Sequence, residues 1–129
     1  MAGHRLDLSI EKGSSWINTI ELSDADGVVR DLSGYTAGMM IRPTRTSSKT
    51  YQYLSTDNGY IIIQGTLGRV CFYLDPDQTA TIGNTPHSVT GEYDLELYGP
   101  TNTTVVGLPT LGTERIIYGT ILFVDEVTR

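Results

Sequence analysis

Apolar residues recur in this chain at every second position and never sustain the spacing of a helix. Leu6, Leu8 and Ile10 share one side of an extended segment, and Trp16, Ile20 and Leu22 share another, with Asn18 as its polar interruption. The same period runs through Tyr35, Ala37, Met39 and Ile41, through Val70, Phe72 and Leu74, through Tyr93, Leu95 and Leu97, and through Ile117, Ile121 and Phe123. Side chains of a strand point alternately to its two faces, so each segment predicts a half-buried strand. Such strands must bury their apolar faces against one another, because no amphipathic helix of useful length is present to cover them.

Turn chemistry separates the segments. Asp24-Ala25-Asp26-Gly27 stands between Leu22 and Val28-Val29 and predicts a hairpin. Pro43 ends the strand Tyr35 to Arg42, and a polar stretch from Arg45 to Thr50 follows. Asp57-Asn58-Gly59 and the pair Gly65 and Gly68 mark tight turns around short strands at Tyr51 and Tyr53 and at Ile61 and Ile63. Gly99-Pro100-Thr101-Asn102 closes the strand holding Tyr93, and Val105-Val106 starts another. Gly119 interrupts the longest candidate, Arg115 to Val124, where it suggests a bulge or a close backbone approach. The one predicted helix is Pro76 to Ile82, capped by Asp75, with proline in its first turn and Gly83 after its end. Eighteen threonines, and eight tyrosines against two phenylalanines, lean the same way. The expectation is an all-β fold: an antiparallel, Ig-like β-sandwich of eight or nine short strands with one short helix, forming a single domain over residues 1–129. Its expected core includes Leu8, Trp16, Ile20, Leu22, Ile41, Phe72, Leu95, Leu97, Ile121 and Phe123.

Chemistry is harder to assemble from these residues. The only histidines, His4 and His87, lie near the terminus and in a proline-containing loop, so no nucleophile has a base and an orienting group beside it. Cys71, between Val70 and Phe72, reads as a packed or rim thiol, and one cysteine with two distant histidines makes no zinc site. Asp24-x-Asp26-Gly27 matches the start of a calcium loop, but Val28, Arg30 and Leu32 occupy its later positions. Asp75 and Asp77 read as helix-capping acids. Asn102-Thr103-Thr104 fits the glycosylation pattern only as a polar hairpin tip. No catalytic residue, cofactor-binding residue, metal ligand or cofactor is expected, and the chain is not expected to be an enzyme. A net charge of −6 and a pI near 4.7 disfavour nucleic acid. Arg42, Arg45 and Lys49 read as a solvated loop. The longest aliphatic run, Ile61-Ile62-Ile63, is far shorter than the roughly 20 residues of a membrane span, and no signal peptide is expected at the N-terminus. A single cysteine suits a reducing cytosol.

Tyr51, Tyr53 and Tyr60 lie close in sequence and could form an outward stripe for a sugar or a partner protein, or simply pair across strands. Tyr93 reads as core. The first strand, Arg5 to Ile10, and the last, Arg115 to Val124, lack proline, and Lys12 and Lys49 are the only lysines available to blunt an edge. Either strand is therefore expected to be open to a neighbour's strand.

The order of segments resembles a family of small virion proteins of tailed bacteriophages. The pieces are Gly13 to Trp16, Asp24 to Gly27, Asp31-Leu32-Ser33-Gly34-Tyr35-Thr36-Ala37, Met39 to Arg42, Gly91 to Leu97, Gly119-Thr120 and Val124 to Arg129. The chain is also similar to the N-terminal β-sandwich domain of phage upper-baseplate proteins, although it carries an extra Thr/Gly/Pro-rich stretch from Pro100 to Gly112. The resemblance implies a structural virion protein, assembled in the bacterial host cytoplasm, that serves as a tail, baseplate or fibre-adaptor subunit. Its alternatives are a capsid decoration protein and a carbohydrate-binding β-sandwich module. The implied partners are other virion proteins and the chain itself in a symmetric homo-oligomer, with neither nucleic acid nor membrane. The residues expected to make protein contacts are Arg5, Leu6, Thr44, Arg45, Lys49, Tyr51, Tyr53, Pro100, Thr101, Asn102, Arg115 and Arg129.

Overall fold

The structure, a computed structural model, describes residues 4–84, 87–99 and 113–125. Nine strands follow in chain order: β1 (His4–Arg5), β2 (Leu8–Glu11), β3 (Trp16–Glu21), β4 (Thr36–Arg42), β5 (Gln52–Ser55), β6 (Ile61–Gln64), β7 (Arg69–Leu74), β8 (Val89–Tyr98) and β9 (Thr113–Val124). One α-helix, α1 (Pro76–Ala80), lies between β7 and β8. The fold is all-β and sandwich-like, as the two-residue period requires.

A larger sheet runs β1-β9-β8-β4-β5, with β2 continuing β1 along the same edge of β9. A smaller sheet runs β3-β7-β6. Their inner faces meet in one core, in which Met39, Ile41, Leu95, Leu97, Ile121 and Phe123 of the larger sheet face Ile61, Val70, Phe72 and Leu74 of the smaller. Of the expected core, Leu8, Trp16, Ile20 and Leu22 are only partly buried and pack against its rim. Trp16 and Ile20 sit on β3, which is an edge strand among the described residues; Trp16 rests on Phe72 at 5.4 Å between ring centroids. Leu32 and Ile82, isolated apolar residues in loops, are fully buried instead.

Pairing departs from the sequence expectation in three places. The segment Ser14 to Leu22 turns back at Asp24–Gly27 through a short hairpin only, in which Ser23 bridges Val29, Asp24 N–H donates to Val28 O and Arg30 N–H donates to Leu22 O, whereas β3 itself pairs with β7. Asp24 holds that turn by accepting hydrogen bonds from the amides of Asp26 and Val28, which leaves its carboxylate committed to the backbone. The N-terminal strand is broken at Leu6-Asp7 and lies parallel to β9, so the larger sheet is mixed. As a result β9 is no open edge: β8 covers one side and β1 and β2 the other. Among the described residues the open edges are β1 with β2, β5, β3 and β6.

Gly119 is the close approach that its position suggested. A side chain there would press directly on the Leu6 carbonyl oxygen and come within 2.8 Å of Asp7 Oδ1. The break in the N-terminal strand fits into that space. Leu6 N–H donates to Tyr118 O at 2.8 Å, Tyr93 Oη donates to Leu6 O at 2.6 Å, and Thr120 N–H donates to Asp7 Oδ1 at 3.0 Å. The bulge lies elsewhere on the same strand, where Ile116 is the extra residue between Arg115 and Ile117, opposite Leu95 and Glu96.

The helix stops at Ala80, two residues before the expected end. Asp75 and Gln78 form a reciprocal capping box at its start. Thr79, fully buried, accepts from Gly13 N–H and donates to Ser14 O, tying the helix to the turn before β3. Lys12 blunts no edge; it is buried, and its Nζ donates to Ile82 O at 2.8 Å beyond the helix end.

Candidate interaction face

The strand register turns the polar positions of β8 into an ordered surface. Glu92, Asp94, Glu96 and Tyr98 follow one another on the outer side of the larger sheet, while Gly91, Tyr93, Leu95 and Leu97 point into the core. On β4 their opposite numbers are Arg42, Met40, Gly38 and Thr36, and Tyr53 of β5 lies opposite Met40. On the other flank, β9 sets Thr120, Tyr118 and Arg115 opposite Glu92, Asp94 and Glu96, and β1 sets Arg5 opposite Tyr118.

A hollow of about 350 Å³ lies over the middle of this face, lined by Gly38, Met40, Arg42, Tyr53 and the row from Glu92 to Tyr98. Gly38 makes it possible. A Cβ at that position would stand 3.2 Å from both the Tyr53 and the Tyr98 hydroxyl oxygens, so the two rings converge over a bare backbone. Tyr98 Oη donates to Glu96 Oε1 at 3.2 Å. Desolvation, and then the neighbouring Glu96 charge, push the Tyr98 phenol up to about 12. Arg42 Nε is shut off from solvent with no hydrogen-bond partner among the described residues. Arg45 N–H donates to Glu92 Oε1 at 2.9 Å and folds the loop after β4 against the same end. A smaller hollow of about 170 Å³ continues the surface between Arg5, Arg45, Glu92, Tyr118 and Thr120. Arg115 stacks its guanidinium on the Tyr118 ring, 4.4 Å from the centroid.

Of the residues expected to make contacts, Arg5, Arg45, Tyr53 and Arg115 come together on or beside this face. Lys49 and Tyr51 line a separate hollow of about 500 Å³ at the end of the sandwich, with Pro43, Thr81 and Gly83. Leu6 and Thr44 are exposed away from both hollows. Pro100, Thr101, Asn102 and Arg129 lie outside the described residues, as does the strand expected at Val105-Val106. The tyrosine stripe does not form. Tyr51 turns inward, edge-on to Phe123 at 6.3 Å, Tyr53 faces outward on the larger sheet, and Tyr60 packs beside Tyr73 at 5.2 Å on the smaller one.

Of the residues that build the face, Gly38, Glu92, Asp94, Glu96 and Tyr98 were not expected as contact residues, and Arg42, expected in a solvated loop with Arg45 and Lys49, instead ends β4 with its Nε shut off from solvent. The signal available was the run Glu-x-Asp-x-Glu-x-Tyr, which a two-residue period places on one side of a strand. Successive members of the row stand about 7 Å apart along the strand, too far to share one cation. Among the described residues no group of three or more His, Cys, Asp or Glu side chains could hold a metal ion. Cys71 lies on the outer side of β7, where it accepts a 3.4 Å hydrogen bond from Thr19 Oγ1. The arrangement offers hydroxyl and guanidinium donors and carboxylate acceptors on a central strand pair.

A solved structure described as the N-terminal domain of phage TP901-1 ORF48 is similar to this chain, with 8% sequence identity, a TM-score of 0.42, and 98% of this chain and 99% of that one covered. A score at that level carries no functional argument. No protein-family model and no curated protein matches the sequence.

Proposed function

We propose that this chain is a structural subunit of a tailed-phage virion, without catalysis of its own, that joins parts of the tail or baseplate through protein contacts. The order of its sequence motifs supports the phage assignment. The observation that carries the mode of action is the outer face of the larger sheet. Tyrosine and arginine are the side chains most enriched where proteins bind one another, and here three tyrosines and four arginines surround a carboxylate row.

Each part has a physical role in docking. Tyr53 and Tyr98 present large rings whose two torsions cost little entropy to fix. Glu92, Asp94 and Glu96 take up cationic or amide groups of a partner. Because the row sits on paired central strands, the donors and acceptors are already in place before contact, which lowers the ordering cost of association.

Immunogold labelling of intact particles with an antibody against this chain tests the proposal. Label at the tail or its tip is expected. Label spread over the head would replace the tail assignment with capsid decoration, and particles without label would overturn the virion role.

A further inference from the structure

The turn that joins β5 to β6 carries an asparagine followed by a glycine, Asn58-Gly59. Thr56 N–H donates to Ala37 O, so along β5 the peptide groups of Gln52 and Leu54 turn towards β4 and those of Tyr53 and Ser55 turn outward. One side chain takes two of these outward groups: Asn58 Nδ2 donates to Tyr53 O at 2.9 Å, and Asn58 Oδ1 accepts from Ser55 N–H at 2.9 Å. A carboxamide has the donor and acceptor of a peptide group, so it pairs with β5 as one residue of a neighbouring strand would. Oδ1 also accepts from Tyr60 N–H at 3.1 Å, an Asx turn that lays the side-chain carbonyl along the backbone that follows, beside the Gly59 nitrogen.

We propose that Asn58 is a self-modification site, at which the Gly59 nitrogen displaces the side-chain ammonia. Three features meet the needs of that reaction. The nucleophile is accessible: among the described residues Gly59 N–H makes no hydrogen bond, a Cβ added at Gly59 would meet nothing within 4 Å, and the residue is exposed, so solvent base reaches the proton. The electrophile is polarised: Ser55 N–H and Tyr60 N–H both point at Oδ1, where negative charge develops as Cγ becomes tetrahedral, and fixed donors at such an oxygen lower the barrier. The site also stands apart within the chain, because Asn18, Asn84 and Asn102 are each followed by threonine, whose branched side chain crowds the attacking nitrogen.

Water is the only other reactant. Gly59 N loses its proton to solvent and bonds to Asn58 Cγ; the Cγ–Nδ2 bond breaks, and the leaving nitrogen takes up a proton and departs as ammonia, which leaves a cyclic imide. Water then opens the ring at either carbonyl. Cleavage between Cγ and the Gly59 nitrogen yields aspartate, and cleavage at the main-chain carbonyl of residue 58 yields isoaspartate, with the backbone rerouted through Cβ and Cγ. Both products lose the donor to Tyr53 O, and isoaspartate also withdraws the acceptor from Ser55 and Tyr60. The edge of β5 that carries Tyr53 is thereby released. The reaction is independent of the virion reading; only its effect on docking through Tyr53 rests on it.

Peptide mapping by mass spectrometry of the purified chain, incubated in mildly alkaline buffer both native and unfolded in urea, tests the proposal. In the native chain, amide-to-acid conversion at Asn58 is expected to be at least about tenfold faster than at Asn18, Asn84 or Asn102, and no slower than in urea, because the two donors to Oδ1 exist only in the fold. Isoaspartate is expected among the products, with faster hydrogen exchange at the Ser55 and Tyr60 amides in that fraction. Asn58→Gln keeps the carboxamide but lengthens the ring to be closed, and conversion there should fall to the level of the other asparagines. A native rate far below the urea rate would show that the hydrogen bonds guard Asn58 and would overturn the proposal, as would conversion no faster than at the other asparagines. Unchanged exchange in the isoaspartate fraction would overturn the release of β5. None of these results alters whether the chain is found in particles, which the gold labelling decides.

Discussion

Replacing Gly119 by alanine should unseat the N-terminal strand. The new methyl group would press on the Leu6 carbonyl oxygen, which as backbone cannot swing away, and lie 2.8 Å from Asp7 Oδ1, inside van der Waals contact, where the carboxylate is held by Thr120 N–H and Arg5. If Leu6 and Asp7 shift, the Tyr93 hydroxyl loses its acceptor while 95% of that residue remains covered, and Leu6 N–H loses Tyr118 O. A buried hydroxyl left without a partner costs about 1 to 3 kcal/mol and a lost strand hydrogen bond about 1, so the sum is about 2 to 4 kcal/mol. The opposite sign is expected where a glycine has free space and compatible dihedrals: there alanine stabilises by about 0.4 to 1 kcal/mol through the unfolded chain. Urea unfolding followed by tryptophan fluorescence separates the two, since a domain held by roughly 5 to 15 kcal/mol shows such a loss as a clear fall in midpoint. An unchanged or raised midpoint in Gly119→Ala would refute the account of how the first strand is docked. The same substitution should weaken particle incorporation, because Arg5 reaches the outer face only through that strand.

Thr79→Val keeps the shape of a fully buried side chain but strips Gly13 N–H and Ser14 O of their partner; a loss of about 2 kcal/mol in chemical unfolding is expected, and a loss below about 0.5 would contradict the link between helix and turn. Trp16→Ala should cost about 2 to 3 kcal/mol, the low end for tryptophan, because half-buried Trp16 gives up its packing on Phe72 but not a sealed core site; thermal unfolding distinguishes this from a surface residue, for which the change would be within about 0.5. Burial, and then the Asp7 charge, push the Tyr93 phenol up to about 12 from 10.0, so its neutral form is favoured by folding. The stability it supports is complete below pH 10 and is lost as pH rises towards 12; Tyr93→Phe should flatten that alkaline limb, and an identical alkaline loss in both proteins would show that Tyr93 is not its source.

The strands were legible because their information is local. β8 alternates core and surface along Val89 to Tyr98, and β7 and β9 are read from the same period. The helix start was legible for the same reason, since Asp75, Pro76 and Gln78 make the cap among themselves. What pairs with what was not, because register is decided by residues far apart in the chain. Nothing near Leu6 announces that it will lie parallel to β9, and the contact that fixes it, Asp7 with Thr120, spans 113 positions. Leu32 and Ile82 carry no period, so their burial follows only from where the loops cross the core. Lys12 has the charge of a surface residue and the environment of an interior one because a helix end happens to offer it a carbonyl. The interaction face shows both cases at once. Its carboxylate row is written in β8 alone, whereas the bare floor at Gly38 and the arriving tyrosines exist only after β4 has paired with β8 and β5.

Hydroxyl-radical footprinting of the chain, free in solution and within purified particles, tests most directly the claim that the larger sheet's outer face is its docking surface. Tyr53, Tyr98, Tyr118 and Met40 are oxidisable side chains distributed across that face and serve as internal probes. The account predicts that oxidation at Tyr53, Tyr98 and Met40 falls at least several-fold in particles, while exposed Val28 and Val29, at the far turn, change little. Equal oxidation of the face in the free and assembled chain would contradict it.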